Sequence, residues 1–150
     1  MTKKLFPLFS VLLVAVMLLA ACGPKEAGPV TINLWTKEGE ADGGLQYVQA
    51  LADAYTAAHP NVTFVVTNKE VETLREDFQT ASLANAAPEL LWTVSDHLGP
   101  FTTADLIQPV DKLVDLGKYV GSATDAVKTP DGKTWGVPIA NGNHLMLLFN

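Results

Sequence analysis

Ser95-Asp96-His97 holds a hydroxyl, a carboxylate and an imidazole in one run, the three groups of nucleophilic hydrolysis. A working triad needs them in line, and three consecutive side chains diverge along the backbone instead. No Gly-x-Ser-x-Gly elbow stands elsewhere in the chain. Gly39, Gly43 and Gly44 fall where phosphate-binding glycines sit, between a strand and a helix. Their spacing is not Gly-x-Gly-x-x-Gly, and Glu38, Glu40 and Asp42 would repel a pyrophosphate. His59, His97 and His144 are too far apart in sequence to show metal-ligand spacing. Catalytic residues, metal and cofactor are therefore all left unassigned. Reversible binding fits better. Lys37, Glu38, Asp96, His97, Asn141, Asn143 and His144 supply donors and acceptors, while Trp35, Trp92 and Trp135 offer aromatic faces. Hydroxyl-rich ligands need both kinds of group. Competing expectations stand beside these: the tryptophans, in or next to strands, pack as core; Asp96 caps the helix after it; His59 pairs with a helix C-terminus.

Cys22 carries a different chemistry. Residues 1–21 begin with Lys3 and Lys4 and continue as a 17-residue apolar run, interrupted by Pro7 and Ser10. Crossing a bilayer takes roughly 20 apolar residues, so a cleaved signal peptide is expected rather than a retained span. The run ends in Leu19-Ala20-Ala21-Cys22, which resembles the bacterial lipobox. In such precursors the cysteine becomes the new N-terminus and its sulfur receives a diacylglyceryl group. Residues 22–29, with two Gly and two Pro, then form the lipidated cysteine and a flexible tether. Several acyl chains at about 0.8 kcal/mol per buried CH₂ give stable anchoring. The mature protein is expected outside the cytoplasmic membrane, held to it by lipid alone.

The elements that must position the remaining candidates alternate. Residues 30–35 are rich in β-branched and aromatic types and read as a strand. Leu45, Val48, Leu51, Ala52 and Tyr55 follow helical spacing, and His59-Pro60 ends that helix. Residues 62–66 form a second strand, apolar enough that burial on both faces is expected. Val71, Leu74, Phe78 and Ala81 mark a second amphipathic helix, closed by Asn85 and Pro88. A third strand over residues 89–93 and a helical stretch over 96–106 follow. Beyond Pro109 the pattern predicts a helix over 111–119, a hairpin turn at Pro130-Asp131-Gly132, and strands over 135–139 and 145–149. Strands alternating with helices mean an α/β fold with a mostly parallel sheet flanked by helices. Ligands sit at the carboxyl ends of such strands. The functional rim is thus the loop after Trp35, the loop after Thr93 and the Asn-rich turn before Leu145. The chain stops on the apolar strand ending Phe149-Asn150 and is expected to be the front part of a longer protein.

Composition narrows the partners. Of the 150 residues 48% are hydrophobic, ample for one core, and the formal charge is −6. Setting aside Lys3 and Lys4 leaves 8 basic residues against 16 acidic, a mature charge of −8. With no basic stripe, nucleic acid is excluded as the main partner. Anionic polymers and headgroups are disfavoured. One cysteine excludes an intrachain disulfide and a multi-thiolate zinc site.

Taken as a set, several segments resemble the sugar-binding family of bacterial extracellular solute-binding proteins to which the maltose/maltodextrin-binding protein belongs. They are Thr31-Ile32-Asn33-Leu34-Trp35, Ala58-His59-Pro60-Asn61-Val62, Ala87-Pro88-Glu89-Leu90-Leu91-Trp92, and Asp96-His97-Leu98-Gly99-Pro100-Phe101. Ala104-Asp105-Leu106-Ile107-Gln108-Pro109 and Gly132-Lys133-Thr134-Trp135-Gly136-Val137-Pro138 complete the set. The resemblance implies a periplasmic-binding-protein-like lobe over residues 30–150, the first of two lobes that close on a sugar. It further implies a monomer when full length, not an enzyme, that hands a maltodextrin-type sugar to the permease subunits of an ABC importer. The ligand-binding residues it implies are Lys37, Glu38, Asp96, His97 and Asn143. His97 stands where that family has Arg, and Lys37-Glu38 replaces an Asp-Lys pair. Binding of a polyamine or a peptide by the same architecture, or an anchored envelope hydrolase, are the alternatives. The acidic Glu38, Glu40, Asp42 and Asp96 fit a polyamine in part.

Overall fold

The computed structural model describes residues 28–140 and 142. Cys22, Asn141, Asn143, His144 and the strand expected over 145–149 lie outside them. β1 (Val30–Thr36) passes through a Gly-rich loop to α1 (Gly44–Ala58), then β2 (Val62–Asn68), α2 (Val71–Leu83) and β3 (Leu90–Trp92). All three strands are parallel, in the order β2-β1-β3, with Leu34 beside both Val66 and Leu90. The chain therefore steps one way from β1 to β2 and the other way to β3. Parallel crossovers are right-handed, so the reversal puts α1 and α2 on opposite faces of the sheet. β1 is the strand at which the direction switches.

Local chemistry explains the boundaries. Gly43 enters α1 at φ 78°, a left-handed conformation that favours glycine, and the Asp42 carboxylate accepts the Gly44 N–H. α1 ends at His59, whose ring stacks on Tyr55 at 4.3 Å, and Pro60 prevents further helix. α2 is capped by Glu70, which accepts from the N–H groups of Glu72 and Thr73; such caps contribute about 1 kcal/mol. Its C-terminus closes through Asn85 at φ 55°, with the Ala86 N–H returning to the Ala81 carbonyl.

Leu34, Val48 and Ala52 are buried between the sheet and α1, while Leu74 and Phe78 of α2 are buried with Phe101. Phe101 belongs to α3 (Leu98–Thr103), and its ring meets Phe78 at 4.7 Å. A buried phenylalanine contributes about 1.5–3 kcal/mol by transfer alone. These two therefore secure the segment that follows β3 against α2.

Several sequence expectations need correction. β2 is not buried on both faces: Val65 is 49% exposed, and Thr63 and Val65 share an exposed face of the sheet with their partners Thr31 and Asn33 on β1. None of the tryptophans is core. Trp35 is half-buried under the Lys69 ammonium, 4.5 Å from its ring, and Trp135 donates to the Thr129 hydroxyl of its own hairpin. The helix expected over 111–119 is instead a turn and a 3₁₀ segment, Leu116–Lys118. There the Asp115 carboxylate takes the Gly117 N–H, offering the backbone an alternative to helix. The hairpin turn at residues 130–132 is present, with Gly132 at φ 85° and Lys128 bridged to Thr134. No strand follows it over 135–139, where Pro138 removes a donor. A further short helix, α4 (Gly121–Asp125), buries Ala123 and Thr124.

Just ahead of β3 a side chain reaches the neighbouring strand. Glu89 Oε2 accepts the backbone N–H of Asn33 at 2.8 Å and its side-chain amide at 3.1 Å. Those bonds, the Asn33 backbone N–H first, hold the Glu89 carboxyl below the ordinary value of 4.5.

Candidate functional site

The C-terminal ends of β1 and β3 meet at the topological switch point, where open α/β sheets receive ligands. Register puts Thr36 beside Trp92, and the Lys37 N–H donates to the Trp92 carbonyl at 3.1 Å. The loop leaving β1 is tied down at once. Thr36 is fully buried, and its hydroxyl accepts the Glu38 N–H at 3.0 Å. From the end of β2, the Asn68 side-chain amide donates to the Glu38 carbonyl at 2.6 Å. Both backbone groups of Glu38 are thereby engaged.

Its side chain is held as firmly. Glu38 Oε1 accepts from Lys37 Nζ at 2.8 Å and from the Trp92 indole N–H at 3.0 Å. Oε2 accepts nothing among the described residues and lies over the start of α1, where a Cβ on Gly44 would approach it to 3.0 Å. Tyr47, one turn into α1, stands edge-on to Trp92 with ring centroids 6.4 Å apart and is 60% exposed. The Lys37 and Glu38 side chains are 30% and 23% exposed. An ion pair that open contributes about 0–1 kcal/mol, so stability is a weak account of it. Freezing a glutamate rotamer, in contrast, costs up to about 1.5–2 kcal/mol. Here the Lys37 and Trp92 donors of the protein itself set that rotamer. The result is a fixed carboxylate with one free oxygen, an ammonium beside it, and two aromatic rings at its edge.

Of the residues singled out in the sequence, the structure brings Lys37 and Glu38 together with Trp92. Tyr47 was missed, being off the apolar stripe of α1, and the one available signal was its place in the first turn after the loop. Asp96 lies beyond β3 in the 3₁₀ segment Ser95–His97; it is exposed and makes no hydrogen bond or ion pair among the described residues. The helix-cap expectation for Asp96 fails, since neither that segment nor α3 has a side-chain cap. His97 does not stand at the rim. It is 5% exposed, shares a 2.8 Å hydrogen bond with the Thr93 hydroxyl, and meets Phe101 edge-on at 5.6 Å. The 3₁₀ turn sends Asp96 outward and the imidazole into the core. Burial pushes the His97 ring below its ordinary value of 6.5, helped by Arg75; Asp96 and Glu72 act the other way. Ser95 is exposed, and the hydroxyl on His97 is that of Thr93, so the three consecutive residues form no triad. No three His, Cys, Asp or Glu side chains gather as a metal site among the described residues. No described helix is long and apolar enough to cross a membrane.

The fold is a parallel three-stranded sheet flanked by helices, with this cluster at the ends of β1 and β3. Residues 50–150 match the profile of the bacterial extracellular solute-binding proteins, and the chain belongs to that family. It is 30% identical over 99 residues to the maltotriose-binding protein of Pyrococcus abyssi, a match covering 64% of this chain and 21% of that one. Among solved structures it is similar to CpMnBP1 with mannotriose bound, at 28% identity and a TM-score of 0.64, over 72% of this chain and 28% of that one. The maltose/maltodextrin-binding domain MalE from Bdellovibrio bacteriovorus, bound to maltotriose, is 31% identical with a TM-score of 0.58, over 70% and 27%. The chain thus spans about a fifth of the curated relative and under a third of these structures.

Proposed function

We propose that this protein captures a neutral oligosaccharide of the maltodextrin type outside the cytoplasmic membrane, by reversible binding and without catalysis. The observation that carries the proposal is the cluster at the β1 and β3 ends. Glu38 Oε2 accepts a sugar hydroxyl and Lys37 donates to one. Tyr47 and Trp92 lie against the apolar C–H face of a pyranose ring. Asp96, exposed and unpartnered among the described residues, supplies a second acceptor. His97 acts from below, holding the 93–97 segment through Thr93 and Phe101. Asn143 is kept as a further ligand residue on the family resemblance alone. Maltotriose and mannotriose, named with the relatives, support a neutral sugar.

Delivery to the permease subunits of an ABC importer, a monomeric full-length protein and lipid attachment at Cys22 complete the proposal. Residues 1–21 are the leader, 22–29 the lipidated tether and 30–150 the first lobe. Calorimetric titration of the full chain with maltotriose, beside spermidine, tests the ligand class. Saturable heat with maltotriose alone is expected. Binding of spermidine alone would assign the acidic rim to a polyamine.

A further inference from the structure

We propose that Trp92 is a positioning residue for Glu38, acting on the ligand through that carboxylate as well as through its own ring. The inference rests on the sugar-binding reading of the site and deepens it. Three observations on separate elements converge. The Trp92 indole N–H and Lys37 Nζ take the same oxygen, Oε1, at 3.0 and 2.8 Å. Gly44, at the first position of α1, leaves the space that Oε2 occupies; an added Cβ would meet both Oε2 and the Glu38 Cβ at 3.0 Å. The Glu38 backbone is pinned at N–H by Thr36 and at the carbonyl by Asn68. Lys37 alone cannot fix the carboxylate, because its ammonium sits on a flexible stem that allows many donor directions. The indole N–H is a single donor on a rigid ring, itself placed by the pairing of Trp92 with Thr36. Two donors on Oε1 and a glycine under Oε2 leave one carboxylate orientation and one free acceptor. A ligand hydroxyl then meets a pre-ordered oxygen, and affinity gains from ordering done in advance.

The test is a double-mutant cycle on the full chain with maltotriose, using Trp92→Phe, which keeps an aromatic face but deletes the donor, and Glu38→Ala. If Trp92 acts through Glu38, Trp92→Phe weakens binding about tenfold in the native background, the value of one hydrogen bond to a charged group. In the Glu38→Ala background the same change then shifts affinity less than about twofold, the coupling a cycle isolates. Equal losses in both backgrounds would mean that Trp92 contributes its ring alone, and no loss in the native background would overturn the proposal outright. Unchanged affinity in Glu38→Ala by itself would place Glu38 outside the site and overturn the proposal, whereas no saturable binding of maltotriose by the native chain would be a failure of the sugar-binding reading itself. A second measurement needs no Trp92 variant. In the ligand-free protein, the Trp92 indole proton resonance is expected to move upfield in Glu38→Gln as its charged acceptor is lost; a resonance that stays put would refute the hydrogen bond.

Discussion

Replacing Asp96 with alanine separates a structural carboxylate from a ligand-binding one. A helix cap in this position would contribute about 1 kcal/mol. Its loss would lower the melting temperature by about 2–4 °C in a domain of about 150–250 residues. The structure predicts otherwise. Asp96 is exposed, accepts no hydrogen bond among the described residues, and precedes an α3 that has no side-chain cap. Surface substitutions of that kind change stability by about ±0.5 kcal/mol. One opposing effect is small: Asp96 raises the His97 proton affinity, so its removal slightly favours the neutral buried ring. Affinity is where the loss should fall. Both carboxylate oxygens are open to hydroxyls, and a charged hydrogen bond is worth about 1.5–3 kcal/mol. Asp96→Ala is therefore expected to weaken maltotriose binding about ten- to hundredfold at an unchanged melting point. Calorimetric titration beside a thermal melt of the full chain reads both quantities. A melting point several degrees lower with native affinity would refute the reasoning and return Asp96 to a structural role.

Two further predictions concern the buried ring and Cys22. His97 is held below its ordinary value, so the folded state binds fewer protons than the unfolded one, and its stabilising contribution is whole above about pH 6.5 and lost as pH falls through the lowered value. Arg75 and Glu72 from α2 and Asp96 from its own turn face the ring; urea midpoints between pH 7.5 and 5 should fall more steeply for the native protein than for His97→Gln, and parallel profiles would contradict this. Cys22→Ser should move the protein from the detergent phase to the aqueous phase in phase partitioning, whereas equal partitioning of both forms would rule out lipid at that sulfur.

Much of the scaffold was legible because periodicity reports burial. Val48 and Ala52 on α1, and Leu74 and Phe78 on α2, fall on the predicted apolar stripes and are buried. β1 and β3 stood out by residue type, and their parallel pairing followed from the helices between strands. The site was legible only in outline. Glu38 and Trp92 are 54 positions apart, and their hydrogen bond depends on a register that no local pattern encodes. Asp96 and His97 look equivalent as neighbours, yet a 3₁₀ turn exposes one and buries the other. Apolar content misled twice. Val65 looks like core but lies on an open sheet face, and the tryptophans look like core but use their indole N–H groups or ring faces at half-buried positions. Residues 111–119 read as helical, whereas the Asp111 carboxylate accepts the Thr134 N–H and ties residue 111 to the hairpin.

The most direct measurement is a crystal structure of the full chain with maltotriose bound. A glucosyl ring is expected within about 4 Å of Trp92 or Tyr47, with a hydroxyl about 2.5–3.0 Å from the free oxygen of Glu38. A sugar seated away from the ends of β1 and β3, with Glu38 and both rings untouched, would contradict the account.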